Sequence, residues 1–397
     1  MQLKKNLHLT YCTNIHPGQD WKNTFESIKR HVLGIKKEVS KNQAFGLGLR
    51  LSNKASEELD MGNNLTDFKK WLNDNDLYVF TMNGFPYGNF HDERVKDLVH
   101  APDWTTDERL NYTKRLFRQL SELIPAGLNG GISTSPITYK YWHKTLSETK
   151  NAFEAGAKNM LVVAKQLFKI EQATGNYLHL DIEPEPDGLL ENSDEVLLFY
   201  ADYLVPIGRA YFKQELGLNA DEAEFLIKKY ITVCYDVCHF SLAYEEPTDT
   251  FAKFKANSIK VGKIQVSAAL KIIFNGSNDE RIWEELSQFN EPTYLHQVTE
   301  KLDGEVKTYS DLPLVLEGDR NHEELRAHYH VPIFLEKYGE LFSTQDHILK
   351  TIAYIKEDPI SEHLEVETYT WDVLPTDLKQ DLSVSIMREL EWLKSHM

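Results

Sequence analysis

Polar and apolar positions alternate along short runs of this chain, then switch to a helical spacing, and the switch recurs from one end to the other. Residues 7–13 alternate, with His8, Thr10 and Cys12 on one side and Leu7, Leu9 and Tyr11 on the other. Trp21, Phe25, Ile28, Val32, Ile35 and Val39 then recur at steps of three and four, which predicts one face of an amphipathic helix. The same pairing predicts strands over residues 44–51, 77–83, 129–134, 177–183, 230–236, 260–266 and 363–370. Helices are expected over 65–72, 107–124, 146–174 and 193–215, the third ending at Gly175, a normal terminator. Leu378, Leu382, Ile386, Leu390 and Leu393 mark a closing helix.

Strands that alternate with helices pair in parallel through right-handed crossovers. Eight of them predict an α/β fold of the (β/α)8 TIM-barrel type. At 397 residues, the whole chain reads as one such domain, 1–397. Two extended pieces, 293–297 and 326–331, follow strand seven, and residues 271–322 are the least regular; we expect an insertion there, between strands seven and eight and over the barrel mouth. An open doubly wound sheet is the competing architecture. It is disfavoured because no GxGxxG turn follows the first strand and no phosphate loop occurs.

The polar face of several strands carries groups that are costly to bury unpaired. His179, Asp181 and Glu183 share a face, as do His363, Glu365 and Glu367, and Lys263 with Gln265. If the apolar faces pack under helices, these side chains look into the lumen. Glu183, Asp236, Gln265 and Glu367 each end a different strand, the end that builds barrel active sites. Facing carboxylates repel unless a cation lies among them, and oxygen donors suit Mn²⁺, Mg²⁺ or Zn²⁺. His239 with His328 and His330 forms a second, nitrogen-rich set that favours zinc or another transition metal. One or two divalent ions are expected. For any single one of these residues, a salt bridge, helix cap or interior hydrogen bond is the better explanation; the convergence of several strands carries the metal reading. Asn83, His16, Glu185 and Lys263 are candidates for holding substrate, and His91 and Ser133 occupy comparable loop positions. Trp371, Trp142, Phe85 and Tyr87 are candidates for a pocket wall.

Composition narrows the partners. The formal net charge of −17 repels phosphate backbones, so nucleic acid is not expected as a partner. Three cysteines without a CxxC pair support neither a disulfide framework nor a zinc ribbon, and a reducing cytoplasm fits. No run approaches the ~18 apolar residues of a membrane span. A small-molecule metabolite is the expected partner; oligomeric state is left open. Gly-x-Ser-x-Gly and His-Glu-x-x-His are absent.

The segment from Val233 to His239 resembles the hydrophobic-Cys-hydrophobic-Asp-x-x-His strand of the xylose isomerase-like TIM-barrel superfamily. Leu364-Glu365-Val366-Glu367-Thr368 resembles that superfamily's last strand, and Ile182-Glu183 its middle-strand glutamate. The resemblance implies a central metal at Glu183, Asp236 and Glu367, with Gln265 where a histidine is usual. His239 and His330 match two ligands of an extra metal in the related endonuclease IV type. His328 falls where those enzymes have aspartate, and Asn83 and Ser133 replace the histidines of their remaining metal. Phrases from end to end, such as Asn83-Gly84-Phe85-Pro86-Tyr87-Gly88 and His328-Tyr329-His330-Val331-Pro332, resemble the metabolite-traffic protein family EboE, which belongs to a bacterial gene cluster. Three functions are implied. The first is a metal-dependent isomerase or epimerase on a small polyhydroxylated metabolite, with Glu183 or Glu367 moving the proton. The others are a two-metal phosphoesterase and a carrier that binds a metabolite without turnover.

Overall fold

The structure, a computed structural model, describes residues 1–4, 6–88, 96–371, 374 and 381–397. Eight parallel strands form the barrel: Leu7–Tyr11, Phe45–Arg50, Leu77–Asn83, Gly130–Thr134, Leu178–Ile182, Ile231–Asp236, Val261–Val266 and His363–Val366, here strands one to eight. Strand eight pairs with both strand one and strand seven, so the order runs round the barrel. The seam between strands one and two is nearly closed. A single bridge, Cys12 to Gly48, joins them. Thr10 adds hydrogen bonds to Gly46 O and from Gly48 N, and Thr13 Oγ1 accepts from Arg50 N. A short strand, Gln2–Lys4, lies antiparallel on strand one.

Helices between the strands cover the outside. Trp21–Val39 starts at Asp20, whose side chain accepts from Asn23 N. Leu146–Thr174 opens with a capping box between Thr145 and Glu148 and ends at Gly175 with φ 76°. The helical stretch expected over 193–215 is broken into Ser193–Phe199 and Val205–Leu216 by a wider turn at Tyr200–Leu204. Pro206, which has no N–H to donate, sits just past that turn. The closing helix is observed over Leu382–His396; Leu378 and His91 lie outside the described residues. No described helix is long and apolar enough to cross a membrane.

The apolar strand faces pack under these helices, with Leu9, Leu180, Ile182, Ile264 and Leu364 fully buried. The lumen is polar, whereas branched aliphatic residues usually fill such barrels. His8 Nδ1 meets the Tyr78 hydroxyl at 2.7 Å, and His179 Nδ1 meets Asp181 Oδ1 at 2.6 Å. Lys263 Nζ lies 2.5 Å from Glu365 Oε2 with both side chains fully buried. Glycine makes the room: a Cβ on Gly48 would stand 1.6 Å from Glu365 Oε1, and one on Gly262 2.0 Å from Asp181 Oδ1.

Between strands seven and eight the chain leaves the barrel and builds a second sheet of six antiparallel strands. In sheet order they are Glu305–Tyr309, Val298–Leu302, Glu324–Ala327, Leu270–Ile273, Leu341–Ser343 and Lys337–Tyr338. The segment that reads as least regular is therefore largely ordered. Its strands are only two to five residues long and, apart from two tight hairpins, pair across tens of residues, so they leave little periodicity in the sequence. Of the two expected extended pieces, 293–297 forms no strand and the second is a strand only as far as Ala327. Tyr294, Leu295 and Gln297 of the first piece and His328 and His330 of the second line the cavity at the barrel mouth.

Candidate metal centre

Strand six delivers Asp236, and the helix Val237–Leu242 begins immediately after it. Asp236 caps that helix: Oδ1 accepts from His239 N at 3.1 Å and from the Ser267 hydroxyl at 2.7 Å. Oδ2 is left buried without a protein partner. The cap also puts His239 in the helix's first turn, beside the acid. Strand five delivers Glu183, and Pro184 ends the ladder there. Strand eight delivers Glu367, whose Oε1 accepts from Asn14 Nδ2 at 2.6 Å and Asn83 Nδ2 at 2.9 Å. Gln265, from strand seven, lies close enough to Glu367 to favour its charged form. Neither polar atom of its amide makes a hydrogen bond of good geometry within the protein.

The three histidines are oriented alike. His239 Nδ1 lies 2.9 Å from Pro184 O, His330 Nδ1 2.8 Å from Glu367 O, and His328 Nδ1 2.8 Å from Gln297 Oε1. Each partner is an acceptor, and Gln297 uses its own N–H on Pro186 O. Each Nδ1 therefore carries the proton and each Nε2 presents a lone pair. His239 Nε2 and His328 Nε2 nevertheless stand 3.1 Å apart, and His330 Nε2 is buried with no protein partner. Lone pairs pointed at one another in a buried site require a cation or a proton between them.

The donors fall into overlapping groups, each with its ligand atoms within 4.8 Å of one another. Glu183, Asp236 and Glu367 form one; Asp236, His239 and His330 form another; Glu185, His239 and His328 form a third. Glu183 Oε2 is a buried orphan besides Asp236 Oδ2. This chemistry fits divalent cations: oxygen-rich around Glu183 and Glu367, nitrogen-rich around the histidines, with Asp236 common to both.

Electrostatics point the same way. Burial, then Glu367 and Asp236, push Glu183 well above the usual carboxylate range. Burial and Asp236 raise Glu367 to about 7. Burial and neighbouring acids raise Glu185 strongly. Burial lowers all three imidazoles, His330 to about 4, and at His328 the neighbouring histidines add to the effect of burial. The site thus favours neutral groups on its own, a bias that a bound cation reverses.

Glu183, Glu185, Glu367 and the three histidines line a cavity of about 70 Å³ at the barrel's C-terminal mouth. The insertion contributes Tyr294, Leu295 and Gln297 to it, and the loop after strand three Phe85 and Pro86. Of the substrate-holding candidates, Glu185 lines the cavity and lies 3.2 Å from His100 Nε2, while Asn83 holds Glu367. His16 instead lies 2.8 Å from the Tyr11 hydroxyl and stacks on His31 at 4.5 Å. Lys263 sits lower in the lumen on Glu365, and neither it nor His16 is part of the cavity lining. Ser133 is buried at the end of strand four, also outside the lining. Among the aromatic candidates Phe85 walls the cavity, whereas Tyr87 packs on Tyr112 and Trp142 on His100. Asn14, His100 and Gln297 escaped the sequence reading. Asn14 was findable from its place just past strand one; His100 and Gln297 arrive by tertiary folding alone.

No family model and no curated protein matches the chain. Solved structures do. A xylose isomerase-like TIM barrel protein from Mycobacterium smegmatis in complex with magnesium superposes with a TM-score of 0.50 at 9% identity, covering 100% of this chain and 98% of that one. The IOLI protein with a bound zinc atom gives 0.49 at 10% identity, over 98% and 99% of the two chains. A D-tagatose 3-epimerase-like protein gives 0.48 at 10%, over 98% and 97%. At such identities the likeness speaks to the fold alone. Together with the strand order, it makes the chain a (β/α)8 TIM barrel, similar in fold to that xylose isomerase-like protein.

Proposed function

We propose that the protein is a metal-dependent enzyme of the isomerase or epimerase type, acting on a small oxygenated metabolite at two adjacent cation sites that share Asp236. The observation that carries this reading is the orientation of the histidines, each with Nδ1 committed to a carbonyl oxygen and Nε2 turned inward beside orphaned carboxylate oxygens. Glu183, Asp236, Gln265 and Glu367 would hold one ion, and His239, His328 and His330 with Asp236 or Glu185 the other. When bound, such an ion supplies positive charge to adjacent hydroxyl and carbonyl oxygens and so acidifies the neighbouring C–H.

The chain's own groups do the rest. Isomerisation and epimerisation both require one proton to leave a carbon and return to a neighbouring carbon or to the opposite face. Glu183 and Glu367 are the carboxyl groups placed for that transfer. Glu367 is held in place for that transfer by the two asparagines that donate to it. Asn14 and Asn83 fix its Oε1 and leave the other oxygen to act. The insertion, through Tyr294 and Leu295, and the start of the loop after strand three, through Phe85 and Pro86, wall the site.

Two-ion phosphoester hydrolysis is the second reading, favoured by the sharing of Asp236 between donor groups. The acidic surface directs that reading to a small phosphoester rather than to nucleic acid. A carrier without turnover is the third, supported by the resemblance to EboE. Three free, buried cysteines fit a cytoplasmic protein.

Elemental analysis of natively purified protein tests the reading. Two equivalents of divalent metal are expected, falling to one in His328→Ala. One equivalent that the substitution leaves untouched would remove the second ion, and no metal would remove the proposal. Deuterium incorporation from solvent into a bound metabolite separates the enzyme from the carrier.

A further inference from the structure

Among the described residues four groups of three donors meet at the barrel mouth, and the function proposed above draws on three of them. The fourth is Cys238, His328 and His330, whose ligand atoms also lie within 4.8 Å of one another. It is the only one of the four that holds His328 and His330 together. Asp236 and His239 form a group with His330 alone, and Glu185 and His239 form one with His328 alone. The donor that both histidines of the insertion reach at once is Cys238.

The fold fixes the thiol in this place. Cys238 is the second residue of the helix Val237–Leu242, which Asp236 caps. Its N–H donates to the Ser267 hydroxyl at 3.1 Å, and Ser267 donates in turn to Asp236 Oδ1 at 2.7 Å. The thiol is free and fully buried, in one small cluster with Leu242 and Ala269. No disulfide claims it, and solvent does not reach it. His330 is 1% exposed; its Nδ1 is committed to Glu367 O, and its Nε2 has no protein partner. A buried nitrogen so placed calls for a proton donor or a cation.

We infer that Cys238 is a thiolate ligand of the nitrogen-rich cation, together with His328 and His330, and that this makes the second site a zinc site. The inference rests on the two-ion reading above and names its second ion. Zinc takes sulfur and imidazole donors together, and three protein ligands leave its fourth position open to a small molecule. Magnesium and manganese are served by oxygen instead, as at Glu183, Asp236 and Glu367. The two sites therefore differ in the metal they select. On binding, the S–H bond of Cys238 gives way to a sulfur–zinc bond and the proton leaves to solvent. The other two cysteines are set apart. Cys12 Sγ accepts from Asn83 Nδ2 at 3.6 Å, and neither Cys12 nor Cys234 joins a group of three donors among the described residues.

Cobalt reports the sulfur bond directly. Metal-free protein is titrated with Co²⁺, near-ultraviolet absorption is followed, and cobalt content is determined on the same samples. A thiolate-to-cobalt charge-transfer band is expected with one of two bound equivalents. It should persist in the double variant Cys12→Ser/Cys234→Ser, whose one cysteine is Cys238, and vanish in Cys238→Ser. Cys238→Ser should also weaken one zinc equivalent at least about tenfold, the least that losing even an outer partner of a ligand costs. X-ray absorption at the zinc edge needs no variant: the zinc-loaded parent should show a sulfur neighbour at about 2.3 Å. Cobalt bound without the band, zinc bound without a sulfur neighbour, or a band that survives in Cys238→Ser would overturn the inference and leave the metal centre standing. A protein that takes up neither cobalt nor zinc would overturn the metal reading, and the inference with it.

Discussion

Replacing Lys263 by Met breaks a buried ion pair whose other member stays behind. Lys263 Nζ sits 2.5 Å from Glu365 Oε2, both side chains are fully buried, and Glu365 Oε1 has no partner. The orphaned acid is fully buried, away from solvent. Removing one member of such a pair costs about 3–5 kcal/mol. Protonation sets a ceiling: holding an ordinary carboxyl neutral at pH 7 costs about 4 kcal/mol, and each pH unit lower relieves about 1.4 kcal/mol. Lys263→Met should therefore lose about 4 kcal/mol at pH 7 and only about 1 kcal/mol at pH 5. The double variant Lys263→Met/Glu365→Leu should recover to within about 1 kcal/mol of the parent, since no charge remains to be stranded. Urea denaturation followed by circular dichroism at both pH values reads all three quantities. A single variant that loses under about 1 kcal/mol at pH 7, or a double variant no better than the single, would refute the account of the lumen as a set of paired charges.

Two further outcomes follow from the same geometry. Gly48→Ala should cost at least about 3 kcal/mol or abolish soluble expression, because the new methyl meets Glu365 and the Tyr11 carbonyl 2.7 Å away; a midpoint unchanged in denaturant would show that the lumen yields. Glu389, which accepts from Thr368 Oγ1 and Ile333 N, is raised by burial from 4.5 to about 7. A carboxyl raised on folding stabilises fully below its unfolded pKa and loses that contribution as pH rises through the folded one. Metal-free protein should thus lose about 3 kcal/mol between pH 4.5 and pH 7 through this residue. Glu389→Gln should flatten the stability profile by that amount, and an unaltered slope would contradict it.

The barrel was legible because its strands report on themselves. Side chains of strands one, five, seven and eight alternate between faces, and the polar members do enter the lumen. The carboxylates at the strand ends were legible for the same reason, since a strand's last inward residue must reach the mouth. What the sequence hid were the contacts that cross between elements. Lys263 has the parity of a lumen residue, and nothing in the sequence says that Glu365 rather than a ligand is its partner. His16 follows a strand as an active-site residue does, yet it turns to Tyr11 and His31.

Local alternation, helix caps and strand-ending acids settled the fold class, the eight barrel strands and the mouth to which Glu183, Asp236 and Glu367 belong, because each depends on neighbours a few residues away. The second sheet, the turning of His328 and His330 onto His239, and the wall that Leu295 and Tyr294 add to the site were decided by tertiary structure alone. Those depend on pairings between segments tens of residues apart, whose energies come from packing and burial that no short window of sequence contains.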